Sequence, residues 1–186
     1  EGQYTAQLRA TDRAGNVSLP VSYAFEIDLT APRITAFATS PAPLNPNNAT
    51  NVAPDQLVFT FDSTDVNVET VNRKTIQLTN LQHHDCSDAI NYPNIAIEGS
   101  RLTIPIGYAL DDNTYTVTVN GVTDTAGNFV DGEYSGAFPT GDHQPGGAFQ
   151  FNFAVDTLAP SVEEFHLSPA DEIVNGGDGP RRSNHS

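Results

Sequence analysis

The chain has 186 residues and a net charge of −15 at pH 7, with eight lysines and arginines against 23 acidic residues. So few cations cannot form the basic groove that neutralises nucleic-acid phosphates, and anionic lipid headgroups would repel the chain. No apolar run approaches the ~18 residues that span a bilayer, so we expect no membrane insertion in this segment. The single cysteine, Cys86, excludes an internal disulfide bond.

The chain begins at Glu1 without a secretory signal, and we expect the native start and any export signal to lie upstream. Its 13 prolines and 14 glycines favour short strands joined by turns, and no helical apolar period persists for three turns. Apolar and polar residues alternate with the period of a half-buried strand in five segments. These are residues 23–27, 57–61, 102–104, 115–119 and 149–155.

Two motifs occur twice in the chain. The turn sequence Asp-x-Ala-Gly-Asn lies at residues 12–16 and 124–128, and the linker Asp-x-x-Ala-Pro lies at residues 28–32 and 156–160. A repeat of this length is typical of whole domains in tandem rather than of a solenoid. We therefore predict the end of one domain at residues 1–30, a complete domain at 31–156 and the start of a third at 157–186.

The second copy is longer than the first. The two turns are 112 residues apart (124 − 12), whereas the two linkers are 128 apart (156 − 28), so an insertion of 16 residues follows the second turn. The insertion falls within residues 129–148, which are rich in Gly, Pro and Asp. This turn chemistry predicts an inserted hairpin.

Seven or so short strands without helices predict an all-β fold, an antiparallel sandwich of two facing sheets. The order of the strands and motifs from residue 31 to residue 128 resembles the bacterial Ig-like domain of S-layer and other large surface or secreted proteins. The resemblance implies an immunoglobulin-like β-sandwich in a multi-domain protein outside the cell or on its surface. It brings no catalytic residues, and we expect no enzyme activity.

Calcium is the metal that the acidic residues favour, because Ca²⁺ takes six to eight oxygen ligands and carboxylates gather at the predicted loops. Turn capping and solubility are the competing interpretation. The candidate ligands are Asp28, Asp62, Asp65, Asp111, Asp112, Asp124 and Asp156. A second metal-like sequence, residues 83–86 (His-His-Asp-Cys), is better interpreted as a polar loop, because adjacent residues on an extended chain point to opposite faces.

The function that these observations favour is a structural spacer, whose partners are neighbouring Ig-like domains of the same chain. One alternative is an adhesion or carbohydrate-binding module that contacts a cell-surface or polysaccharide ligand through Tyr134, Phe138 and His143 of the insertion. Exposed aromatic side chains there would favour the binding module, and packed ones the spacer. Another alternative is an accessory domain of a secreted enzyme.

Overall fold

The computed structural model describes residues 1–162, which form a two-stranded sheet followed by a complete β-sandwich. The predicted start of a third domain, residues 157–186, lies almost wholly outside the described residues. No helix among the described residues is long and apolar enough to cross a membrane.

The described residues contain ten strands and three short 3₁₀ helices. The strands are β1 (Gly2–Leu8), β2 (Val21–Ile27), β3 (Ile34–Ser40), β4 (Ala49–Thr50), β5 (Gln56–Phe61), β6 (Ile76–Asn80), β7 (Ala96–Glu98), β8 (Arg101–Pro105), β9 (Asn113–Val119) and β10 (Phe149–Val155). The 3₁₀ helices are Val68–Thr70, Ser87–Ala89 and Tyr92–Asn94. The all-β prediction is confirmed.

Two four-stranded sheets build the sandwich, in the orders β3-β5-β8-β7 and β4-β10-β9-β6. The pairings are antiparallel except for the short contact of β4 with β10, which is parallel. Pro105 ends β8 as its missing N–H requires, and its carbonyl accepts a hydrogen bond from the Asn91 N–H (2.8 Å).

Aromatic rings join the two sheets in the core. The Phe37 ring lies 5.0 Å from the Phe59 ring of the neighbouring strand and 5.0 Å from the Phe151 ring of the opposite sheet. Phe59 and Phe153 are fully buried, and burying a side chain of this size contributes about 1.5–3 kcal/mol. Within the sandwich, the alternating pattern therefore places apolar residues in one continuous core, which does not include β1 or β2.

The insertion differs from its prediction. None of residues 129–148 lies in a regular strand, and the segment is an irregular loop. The predicted hairpin is therefore wrong. The loop folds back over the core, where the half-buried Tyr134 ring lies 5.3 Å from the Phe151 ring and 4.9 Å from the Phe138 ring. Long-range contacts of this kind, rather than local turn chemistry, determine its path.

Two buried polar residues fix the loop to the sandwich. The Thr140 hydroxyl donates to the Asp131 carbonyl (2.7 Å) and accepts from the Ile34 N–H (3.0 Å), which lies at the start of β3. The Asp131 carboxylate accepts from the N–H groups of Asp142 (3.0 Å) and His143 (2.8 Å). Gly141 takes a positive φ of 92°, and a Cβ there would overlap the Asp131 carboxylate. The loop is thus an integral part of the domain.

Replacing Thr140 by Val should lower the free energy of unfolding by about 1–3 kcal/mol, because the buried Ile34 N–H loses its partner while the side-chain volume is kept. Chemical denaturation of residues 31–156 measures the change. Thr118→Val, on the outer face of β9, is the matched control and should change the midpoint little. Equal effects of the two substitutions would contradict an anchoring role for Thr140.

Candidate functional site: an acidic joint

Three of the predicted calcium ligands come together where the two-stranded sheet joins the sandwich. Asp28 lies in the linker after β2, Asp65 in the loop after β5, and Asp124 in the loop after β9. One carboxylate oxygen from each lies within 4.8 Å of the others. Asp124 is buried and the other two are half-buried. We refer to these three residues as the acidic joint.

Backbone contacts between loops position the acidic joint. Val66 and Asp124 form an antiparallel bridge, and the Thr125 N–H donates to the Asp65 carbonyl (2.9 Å). The Asn128 side-chain amide then reaches the linker, where it donates to the Asp28 carbonyl (3.2 Å). The linker is therefore hydrogen-bonded directly to the sandwich.

The repeated turn has the same geometry in both copies. The Asn128 N–H and side-chain amide donate to the Asp124 carboxylate at 2.8 and 2.9 Å, and Asn16 makes the same two bonds to Asp12, both at 2.8 Å. The bonds from Asn16 hold the pKa of Asp12 below its ordinary value. Gly127 has the positive φ (95°) that the motif predicts. The turn thus closes on itself without a ligand.

The acidic joint keeps oxygen acceptors for a cation. The Asp28 carboxylate accepts from the Thr30 N–H (2.9 Å), and the Asp65 carboxylate accepts from the Ser63 hydroxyl. Each carboxylate offers about four lone-pair positions, so these bonds leave several free. Among the described residues, the ion pairs join Arg33 to Asp62 and Arg73 to two other acids, and none involves the acidic joint.

The other predicted ligands occupy different positions. Asp62 pairs with Arg33 (2.9 Å) and lines, with Asp65, a cavity of about 190 Å³ beside the acidic joint. The remaining three lie at the opposite end of the sandwich, where β9 begins and β10 ends. There Asp112 accepts from the Thr157 N–H (2.9 Å), Asp156 accepts from the Leu158 N–H (3.3 Å), and the Asp111 carbonyl accepts from the Tyr115 hydroxyl (3.0 Å).

Some residues around the acidic surfaces were not predicted from the sequence. Ser63 and Asn128 are ordinary polar residues whose contacts with Asp65 and Asp28 depend on the folded structure. A second group of acids, Asp131, Glu133 and Asp142, also brings carboxylate oxygens within 4.8 Å of one another. Asp131 and Glu133 are two residues apart, and in an extended chain such residues lie on the same face. This spacing is the one sign in the sequence that their carboxylates could come together.

The polar loop at residues 83–86 differs from a metal site. Asp85 pairs with Arg73 (2.9 Å), which also contacts Asp88. The pKa of Asp85 is lowered mainly by hydrogen bonds from the Ser87 side chain and N–H, and the ion pair with Arg73 lowers it further. Burial raises the pKa of the Cys86 thiol, which keeps it away from the thiolate form that binds metals.

Asn128→Ala should destabilise residues 1–162 by about 1–3 kcal/mol, because it removes donors from the buried Asp124 carboxylate and from the linker carbonyl. Thermal and chemical unfolding measure the change. Asn16→Ala removes the equivalent side chain from the exposed first turn and is the control, with little effect on unfolding of the sandwich. If Asn128→Ala is equally neutral, the turn does not contribute to the stability of the joint.

Comparison with known proteins identifies one relationship. A family model described as a bacterial Ig-like domain matches residues 28–140. No curated protein and no solved structure matches the chain. The matched segment begins at Asp28 of the acidic joint and ends at Thr140, the buried residue that anchors the insertion.

Proposed function

The chain belongs to the family of bacterial Ig-like domains, and we propose that it serves as a non-catalytic spacer repeat in an exported bacterial protein. The observation that carries this proposal is the packing of the insertion, in which the Tyr134 and Phe138 rings lie against the core while Phe129 is exposed. Tyr134 and Phe138 are half-buried against Phe149 and Phe151. An insertion that packs two of its three aromatic rings on its own core is suited to a domain that sets distance and stiffness.

The context that fits this role is a tandem array at the cell surface or in the medium. The linker that follows β2 recurs after β10, so each unit would join the next through the same Asp-x-x-Ala-Pro sequence. Proline removes a donor and fixes φ, which stiffens such a joint. The partners in this proposal are the neighbouring Ig-like domains of the same chain.

A binding role through the insertion has less support. Of the three residues that would carry it, Tyr134 and Phe138 pack inward and His143 is exposed with a positive φ of 72°. A single exposed imidazole is a small contact surface for a cell-surface or polysaccharide ligand. An accessory role beside a distant enzyme is compatible with the spacer proposal, since it requires the same stiffness.

Small-angle X-ray scattering tests the spacer role on arrays of two, three and four copies of residues 28–156. A stiff spacer predicts a maximum dimension that rises linearly with copy number, whereas flexible joints make it rise more slowly. Pro32→Gly, with the equivalent proline in each copy, should shorten the mean extension because glycine relaxes the joint. If the maximum dimension rises linearly in the glycine variant as well, the proline is not the cause of the stiffness. Sublinear growth in the unaltered array would contradict the spacer proposal.

We also propose that Ca²⁺ binds at the acidic joint and stiffens it. Three carboxylates from the linker and from two loops of the sandwich converge there, and hard oxygen ligands suit Ca²⁺. A cation held between Asp28 and the other two acids would tie the linker to the domain through a second contact, beside the Asn128 bond. It would also neutralise the repulsion among three close negative charges.

Thermal unfolding of the chain with excess Ca²⁺, and then with a chelator, tests this site. Ca²⁺ at a hundred times its dissociation constant should add about 2.7 kcal/mol to the free energy of unfolding, which is several degrees in the midpoint. Asp65→Asn should abolish the gain and, in chelator, leave the protein as stable or slightly more stable. Asp112→Asn, at the opposite end of the sandwich, is the control and should keep the full gain. A chelator-insensitive midpoint would leave these acids as turn caps.

A further inference from the structure

We propose that the apolar face of the β1–β2 sheet is an interface for the facing sheet of another Ig-like unit, one whose inner surface matches that of β3-β5-β8. This inference rests on the proposed function, because it names the partner that the first two strands require. The spacer proposal gives this apolar face no role. The occupant is defined by its chemistry: a β-sheet whose inner side chains are aliphatic and aromatic.

The β1–β2 sheet has one apolar and one polar face. Its register pairs Tyr4 with Phe25, Ala6 with Tyr23 and Leu8 with Val21, so all six side chains lie on one face. The opposite face carries mainly polar side chains, among them Gln3, Thr5, Gln7, Ser22 and Glu26. This division is the pattern of a sheet that covers a core with one side.

The apolar face is exposed to solvent. Val21 is 69% exposed, Tyr23 is 71% exposed and Leu8 is 74% exposed. An isolated two-stranded sheet is marginally stable in water, and contiguous exposed apolar surface of this kind marks an interaction site. The Tyr4 and Phe25 rings stack on each other at 5.8 Å, which orders the face without covering it.

The β9–β10 sheet shows what covers an equivalent face. In its register Tyr115 pairs with Phe153 as Tyr4 pairs with Phe25, and the repeated turn joins the two strands in both copies. Yet Phe149 and Phe151, which stand where Val21 and Tyr23 stand, are 0% and 5% exposed. Their cover comes from the sheet of β3, β5 and β8 across the sandwich, with Phe37 in contact with both rings, and from Tyr134 and Phe138 of the insertion, which has no counterpart between β1 and β2.

The linker supports the same equivalence. The Glu1 carboxylate accepts from the Thr30 hydroxyl (2.8 Å), as the Asp112 carboxylate accepts from the Thr157 hydroxyl (2.8 Å). Each acid directly precedes the first of its two strands, and each threonine lies in the linker after the second, at the third linker position for Thr30 and at the second for Thr157. The β1–β2 unit therefore matches β9–β10 in register, turn and linker motif, and differs in having neither a facing sheet nor the insertion among the described residues.

The side chains also indicate the shape of the partner. Val21 and Ala6 are smaller than Phe149 and Val117 at the equivalent positions. Close packing therefore requires larger inner side chains on the partner sheet opposite these two positions. The partner is a relative of the β3-β5-β8 sheet and is not identical to it.

The test is a fusion that places a second copy of residues 31–112, which contain β3 to β8, ahead of Glu1 of the full chain. Hydrogen exchange then follows the amides of β1 and β2. They should exchange about 100-fold or more slowly in the fusion than in the unfused chain, because the strands become part of a cooperative core. A second fusion carries Ala6→Val, Leu8→Val, Val21→Phe and Tyr23→Phe, which give the sheet the inner residues of β9–β10.

Two controls separate packing from proximity. Phe25→Asp, on the apolar face, should remove the slowing of exchange, whereas Ser22→Asp, on the polar face, should leave it. Slowing in either fusion with this dependence on face supports the proposal, and its absence from both overturns it. Sedimentation of the unfused chain tests the other occupant. A concentration-dependent dimer that Phe25→Asp abolishes would assign the face to a second copy and would also overturn the proposal.

Failure here is distinguishable from failure of the spacer role. The scattering experiment uses residues 28–156 and does not contain β1 or β2. A stiff array together with an unprotected β1–β2 sheet would keep the spacer and reject the interface. A flexible array together with a protected sheet would do the reverse.

Discussion

The contact between the two sheets of the sandwich is the interaction on which the rest of the structure depends. Phe37 reaches across it to Phe151, and the alternation along each strand serves to direct side chains into this layer. The insertion follows the same constraint, because Tyr134 and Phe138 pack on the Phe149 and Phe151 rings of β10 beside Phe37 of the opposite sheet. Its polar anchors, among them the Thr140 hydroxyl, satisfy the backbone groups that this covering buries.

The linker is governed by hydrogen bonding and charge instead of by apolar packing. The Asn128 amide bonds at once to the Asp124 carboxylate of its own turn and to the Asp28 carbonyl of the linker. One side chain therefore makes the closure of the turn and the placement of the linker depend on each other. The three carboxylates beside it repel one another and so oppose this arrangement, and the proposed Ca²⁺ would turn that repulsion into attraction.

The sequence predicted the fold far better than it predicted the site. Strands such as 57–61 and 115–119 followed from period-two alternation, because that signal is local and one face is buried. The insertion was wrongly predicted as a hairpin, since Gly and Asp residues signal turns but do not show which distant strand the chain will contact. The calcium candidates stay predictions: the sequence named Asp28, Asp65 and Asp124 among seven acids, but their convergence depends on pairings between segments far apart in the chain.

Stiffness in a tandem array requires that the end of one unit be held by the beginning of the next. In this chain the turn at residues 124–128 and the linker that starts the same domain lie side by side, because the Asn128 amide donates to the Asp28 carbonyl. In the proposed array, this hydrogen bond of the following sandwich would restrain the linker to the preceding unit. A bend at the linker would have to break this bond and separate the acids around it. In the proposed array, the resistance of such a joint to bending would therefore draw on the folding energy of the domain, and a short linker with one proline would then act as a rigid connection.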